Sequence, residues 1–195
     1  DVNGQLKLAG QRYRGNGNDY FTGPLTTDGT AAISADECVK YDKLYTIYRK
    51  DVDEFIAWYN NKTEFPEYSI PSYFYDYPAH GTGPGQSFYL APFFDNDGDG
   101  IYSPDAGDYP YYDINNELCH SDLPTLETEQ GLVIGGILAD QVLKGDQTIW
   151  WVFNDKGNIH TETQGNAIGL EIRAQAFAFS TNDEINNMTF YSFEI

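Results

Sequence analysis

The chain is poor in basic residues. Its 11 Lys and Arg stand against 30 Asp and Glu, leaving a formal charge of −19 over 195 residues. A field of that sign repels phosphate backbones and anionic headgroups, so nucleic acid and acidic membranes are not expected partners. Two cysteines, Cys38 and Cys119, are too few for a disulfide framework. They leave open either one bridge or two buried thiols. No apolar stretch approaches the roughly 20 residues that cross a bilayer as a helix, so membrane insertion is not expected. A starting Met and a signal-peptide pattern are also missing. The opening Asp1-Val2-Asn3-Gly4-Gln5 reads as a turn leading into a strand, and the chain is expected to be a fragment of a longer multidomain protein.

Aromatic residues are abundant: 16 Tyr, 12 Phe and 3 Trp, beside 19 Gly, 9 Pro and a single Met. Tyrosine and phenylalanine suit pleated surfaces, and glycine and proline punctuate turns. The balance points to β-structure joined by long ordered loops. Aromatics also serve surfaces that bind sugars or other proteins. Apolar residues make up 41%, and a chain of this length buries about 70% of its unfolded surface without a covalent staple. Residues 1–195 are therefore expected to form one β-rich domain.

Between Gln5 and Arg14, Leu6 and Leu8 alternate with polar neighbours, the pattern of a strand running into Gly15-Asn16-Gly17-Asn18. Two arrangements compete over the next periodic segment. Cys38, Tyr41, Tyr45, Tyr48, Val52, Phe55 and Tyr59 recur at gaps of three and four, the stripe of one long helix capped by Ser34 and Glu37. Against this, Leu44-Tyr45-Thr46-Ile47-Tyr48 has strand composition, and Asp51 with Glu54 forms a second capping box. A strand near 43–49 followed by a helix from Asp51 to about Tyr59 is favoured. Residues 62–92 are rich in Pro and Gly around Tyr73, Phe74, Tyr75 and Tyr77; loops this long are usually functional or pinned by a ligand. Further on, Gln147 to Phe153 reads as a strand ended by the turn Asn154-Asp155-Lys156-Gly157. Leu170, Ile172, Ala174 and Ala176 mark a half-buried strand, and Met188 to Ile195 another, the two forming an antiparallel hairpin.

The sharpest chemical signal is Asp95-Asn96-Asp97-Gly98-Asp99-Gly100-Ile101, with Asp105 and Asp108 close behind. Asp95, Asp97 and Asp99 alternate, as side chains do when a chain wraps a calcium ion. Gly100 permits the sharp turn, and Ile101 follows with a backbone carbonyl as ligand and an apolar side chain to anchor the loop in the core. Three carboxylates so close repel one another until a hard divalent cation relieves them. The loop departs from the EF-hand at its twelfth position, which is Ala106 rather than a bidentate Glu. Asp105 and Asp108 flank it and are the candidates to close the shell, a pattern resembling dockerin and thrombospondin-type-3 loops. The competing reading is an acidic surface turn. The expected metal set is Asp95, Asp97, Asp99, Ile101, Asp105 and Asp108, holding structural Ca2+.

Other constellations are weaker. His80, His120 and His160 could make a zinc set, with Glu162 and Asp122 nearby in sequence, but no pair has helical ligand spacing. Gly81-Thr82-Gly83-Pro84-Gly85 lacks the Lys and following helix of a phosphate loop. No carboxylate pair stands out for glycoside hydrolysis, and there is no Gly-x-Ser-x-Gly elbow. No catalytic residues are expected. In a strand, Trp150 and Trp151 place one ring on each face, one for the core and one for a sugar or a neighbouring module.

Several phrases stand out in order along the chain. They are Asp1-Val2-Asn3-Gly4-Gln5-Leu6-Lys7-Leu8-Ala9, Phe21-Thr22-Gly23-Pro24-Leu25, Cys38-Val39-Lys40-Tyr41-Asp42-Lys43, Tyr77-Pro78-Ala79-His80-Gly81 and Leu90-Ala91-Pro92-Phe93. The aspartate run, Gly107-Asp108-Tyr109-Pro110 and the stretch from Lys144 to Asp155 continue the series. In this order the chain resembles a family of large secreted proteins of Bacteroidota, cargo of the type IX secretion system. The resemblance implies export to the outer cell surface or release, a link to gliding and adhesion, and neighbouring domains or other surface proteins as partners. It supplies no catalytic residues. The expected fold is mainly β: an antiparallel, sandwich-like domain with one short helix and long calcium-pinned loops. The expected role is a non-enzymatic module for adhesion or surface assembly. The alternative is a glycan-binding ancillary domain of a secreted hydrolase, using Tyr73, Tyr75 or Trp150.

Overall fold

A computed structural model describes residues 4–112 and 142–195. Cys119, His120 and Asp122 lie outside the described residues, and with them the proposed Cys38–Cys119 bridge.

The fold is mainly β, with strands in antiparallel sheets and few short helices. Its centre is β5 (Gln147–Asn154), paired along one edge with β6 (Glu171–Ala178), which in turn pairs with β7 (Phe190–Glu194). Two short strands, β1 (Phe21–Thr22) and β2 (Tyr45–Tyr48), lie along the other edge of β5. Period-two alternation fixes which face is inside: Thr148, Trp150, Val152 and Asn154 are buried while their neighbours are not. Trp150 is the core ring and Trp151 lies on the outer face. A separate two-stranded ribbon, β3 (Phe93–Phe94) with β4 (Tyr109–Pro110), completes the sheets among the described residues. No second full sheet faces the first there; helix and aromatic loops close that side instead.

The ambiguous segment resolves as strand then helix. β2 runs Tyr45–Tyr48 and α2 runs Arg49–Asn60, preceded by a one-turn helix α1 at Ala35–Cys38. Pairing decides the boundary: Tyr48 opposes Gln147, and the next N–H, of Arg49, donates to Asp146 O at 2.9 Å. The helix therefore starts two residues before Asp51, and neither Ser34 nor Asp51 caps a helix with its side chain. Spaced along one face of α2, Val52 and Phe55 are fully buried, and the Phe55 ring meets Phe74 (5.4 Å), Trp58 (5.8 Å), Tyr59 (6.0 Å) and Tyr109 (6.1 Å). Cys38 is buried, its thiol donating to Pro24 O at 3.3 Å.

The strand expected over Gln5–Arg14 does not form. Only an isolated bridge, Lys7 to Asn166, touches the segment, and Leu6 and Leu8 are exposed. Alternation is a local signal, but a strand needs an edge to pair with. Polar contacts tether the segment instead. His160 is buried with Nδ1 2.7 Å from Leu8 O and Nε2 2.5 Å from Asp155 O. Carbonyl oxygens only accept, so both ring nitrogens donate and the ring is an imidazolium. Asp19, also buried, places Oδ2 3.8 Å from Nδ1. It accepts from the Thr163 hydroxyl (2.6 Å) and the N–H groups of Glu162 (2.9 Å) and Gly10 (3.1 Å).

Burial alone would lower the His160 pKa, but the Asp155 and Leu8 carbonyls and the charges of Asp19 and Asp155 outweigh it and raise it. Burial would likewise raise Asp19, yet the hydrogen bonds from Thr163, Glu162 and Gly10 bring it down to about 2. The raised His160 value means its stabilisation is complete below the unfolded value near 6.5 and is lost as pH rises through the folded value. The Asp19 contribution is present above about 4 and is lost as pH falls through about 2. Nitrogen NMR of the folded protein at pH 6.5 is predicted to show both His160 ring nitrogens protonated, and His160→Gln to remove the loss of stability between neutral and alkaline pH. A neutral ring at pH 6.5 contradicts the assignment.

Candidate metal centre

The loop from Asp95 to Asp108 joins β3 to β4, so its ends are fixed before any ion binds. Phe93 pairs with Pro110 and Phe94 with Tyr109, and the Phe94 and Tyr109 rings stack at 5.0 Å and 15°. Three glycines turn the loop through left-handed backbone: Gly98 (φ 75°), Gly100 (φ 78°) and Gly107 (φ 104°). At Gly107 space is restrictive as well, since an added Cβ would sit 2.5 Å from the Tyr59 ring.

Asp95 is buried, with Oδ1 accepting from Gly98 N–H at 2.8 Å and Oδ2 from Gly100 N–H at 2.9 Å. Asp97 and Asp99 are exposed and fold over the backbone two residues on. Asp97 accepts from Asp99 N–H at 3.3 Å and Asp99 from Ile101 N–H at 2.7 Å. One carboxylate oxygen from each of Asp95, Asp97 and Asp99 lies within 4.8 Å of the others, and this group could hold a metal ion. It is the one group of three or more potential ligands among the described residues.

Asp105 and Asp108 are not part of that group. Asp108 is buried and clamps the loop ends, accepting from Ser103 N–H (2.7 Å) and Asn96 N–H (2.8 Å) through separate oxygens. Burial raises its pKa and the charges of Asp95 and Asp97 push the same way, against those two hydrogen bonds. Asp105 accepts from the Tyr75 hydroxyl at 2.9 Å. The side chain of Ile101 does not anchor the loop, being 56% exposed. Tyr102 does so instead: its ring packs on Phe93 (5.4 Å) and Tyr77 (5.4 Å).

His80, a candidate zinc ligand in the sequence, serves the aspartate loop instead. Its Nε2 accepts from Tyr102 N–H at 2.8 Å, and its Nδ1 lies 3.0 Å from Phe88 O, which accepts its proton. The two partners select the neutral tautomer with hydrogen on Nδ1, and burial lowers the pKa in the same direction. The ring stacks on Phe88 at 4.2 Å and so couples the aspartate loop to residues 80–89. A lone histidine in an aromatic stretch gives no sequence signal for this role. With His80 and His160 both committed to backbone groups and Glu162 ion-paired with Arg12, the described histidines do not assemble a zinc site. Of the three rings of the alternative glycan platform, Trp150 is buried, while Tyr75 is 55% exposed; the hydroxyls of Tyr73 and Tyr75 bond to Asp51 and Asp105.

No family model, curated protein or solved structure matches the chain.

Asp108→Ala strands two backbone donors that have no other acceptor, and is predicted to cost about 2–4 kcal/mol in metal-free buffer. Asp97→Ala, at an exposed position, is predicted to cost less than about 1 kcal/mol under the same conditions. Urea unfolding of the two variants in EDTA checks the contrast. Equal losses would mean that Asp108 is not the clamp of the loop.

Proposed function

We propose that the chain is a calcium-stabilised, non-enzymatic module of a secreted bacterial surface protein, acting in adhesion or surface assembly. The observation that carries this reading is the convergence of the Asp95, Asp97 and Asp99 oxygens in a loop already closed by β3 and β4. Only oxygen donors converge there, which favours a hard cation over zinc or copper, and a flexible shell of carboxylates, carbonyl and water suits calcium better than magnesium. In this reading the Ile101 carbonyl and water complete the shell, while Asp108 shapes the loop from behind.

The rest of the reading comes from the sequence. An acidic, aromatic-rich chain that resembles exported Bacteroidota proteins suits the outer surface, where calcium is plentiful and partners are other surface proteins. A bound ion would lock the 93–110 ribbon and, through Tyr102 and His80, the neighbouring loop that packs on the core.

Isothermal titration of EDTA-treated protein is predicted to show one calcium site that disappears in an Asp97→Ala, Asp99→Ala double variant. In intact bacteria the wild-type segment is predicted to be accessible to added protease, and the double variant to lower calcium-dependent adhesion. Turnover of a glycan or peptide by the wild-type chain, lost on mutation within it, would contradict the non-enzymatic reading.

A further inference from the structure

The outer side of the five-stranded sheet carries a groove that the aspartate loop does not use. β1 and β2 lie end to end along one edge of β5, opposite Phe153–Asn154 and Gln147–Trp150 respectively. Gly23 N–H still donates to Val152 O at 3.0 Å, so the edge is interrupted beside Trp151, where residues 24–44 leave the sheet and return. A cavity of about 480 Å³ opens at the break. Its walls include Tyr20, Phe21, Leu44, Trp151 and Phe153, together with Asp42 and Lys43.

The rings are set by contacts within the protein. Tyr20 stands edge-on to Phe153 (5.4 Å, 87°), and Trp151 is propped edge-on by Phe193 (6.4 Å, 87°). The Asp42 carboxylate is exposed and meets no partner among the described residues. Its neighbour Lys43 is already spent, paired with Asp76 at 2.5 Å and lying over the Tyr45 ring at 4.8 Å. The groove thus combines aromatic faces, which are themselves electron-rich, with the one unpaired carboxylate of its lining, Asp42, in a chain of net charge −19.

We propose that this groove binds an organic cation, an alkylammonium or guanidinium group on an apolar stem. The stem lies along Leu44 and the rings, the charge faces Trp151 and Tyr20, and Asp42 is its counter-ion. An anion is repelled, and a neutral ligand uses the rings but forgoes the field. The cation has two sources with the same chemistry: a free amine, or an Arg or Lys side chain of a partner protein. The site is independent of the calcium reading and stands or falls separately.

The test is titration of the full chain at low salt, followed by NMR, with butylguanidinium, its neutral isostere butylurea, glucose, and an acetylated, amidated Gly-Arg-Gly peptide. Butylguanidinium is expected to bind about tenfold more tightly than butylurea, in line with cation–π attraction reinforced by a carboxylate. Trp151→Leu and Asp42→Asn are each expected to weaken it by about five- to tenfold. Asp42→Asn changes an exposed side chain and serves as the variant whose fold is not at risk. A peptide that binds more tightly than butylguanidinium supports a partner side chain as the occupant, and one that binds no more tightly supports a free cation. Equal binding of butylurea, a preference for glucose, or no saturable binding of any cation below about 10 mM overturns the proposal.

Discussion

Buried aspartate carboxylates hold this fold's loops in place. Asp19, Asp95, Asp108 and Asp155 are all fully buried. An isolated carboxylate in such a place is costly, and the cost is met when backbone N–H groups converge on it. Each of these carboxylates gathers such donors: Asp155, for example, accepts from Ile168 (2.6 Å), Leu170 (2.7 Å) and Gly169 (2.8 Å). Strand pairing accounts for only part of the chain, so the shape of the remainder depends on these polar nodes. His160 ties two of them to the N-terminal segment, since it donates to Asp155 O and lies beside Asp19.

Where local pattern and long-range structure agree, the sequence is a good guide. The alternation in Gln147–Asn154 and Glu171–Ala178 is what a strand with one buried face requires, and these strands pair over their whole length. The strand-to-helix switch at Tyr48 was legible because β-branched and aromatic residues in 44–48 interrupt a helical stripe. The aspartate spacing likewise identified Asp95, Asp97 and Asp99 as neighbours in space.

The misreadings share one physical origin. Leu6 and Leu8 alternate like a strand, but no sheet edge reaches them. Ile101 is apolar and follows the turn, yet Tyr102 faces inward because Phe93 and Tyr77 offer it a pocket. Asp105 and Asp108 are as acidic as Asp95 in sequence, but their roles depend on whether a hydroxyl or backbone N–H meets them. His80 and His160 are distinguished only by their partners: one accepts from an N–H and stays neutral, the other faces two carbonyls and stays charged. Such partners come from distant parts of the chain, where periodicity and spacing carry no information.

Calcium stabilisation of the Asp95–Asp108 loop is the central claim, and thermal unfolding tests it most directly. Calcium at about 100 times its dissociation constant adds about 2.7 kcal/mol. For a chain of this size that raises Tm by about 5–10 °C over the same protein in excess EDTA. The account predicts this shift in the wild type and its loss in the Asp97→Ala, Asp99→Ala variant. An identical Tm with and without calcium in the wild type would contradict it and leave the aspartate run as an acidic turn held by its own backbone.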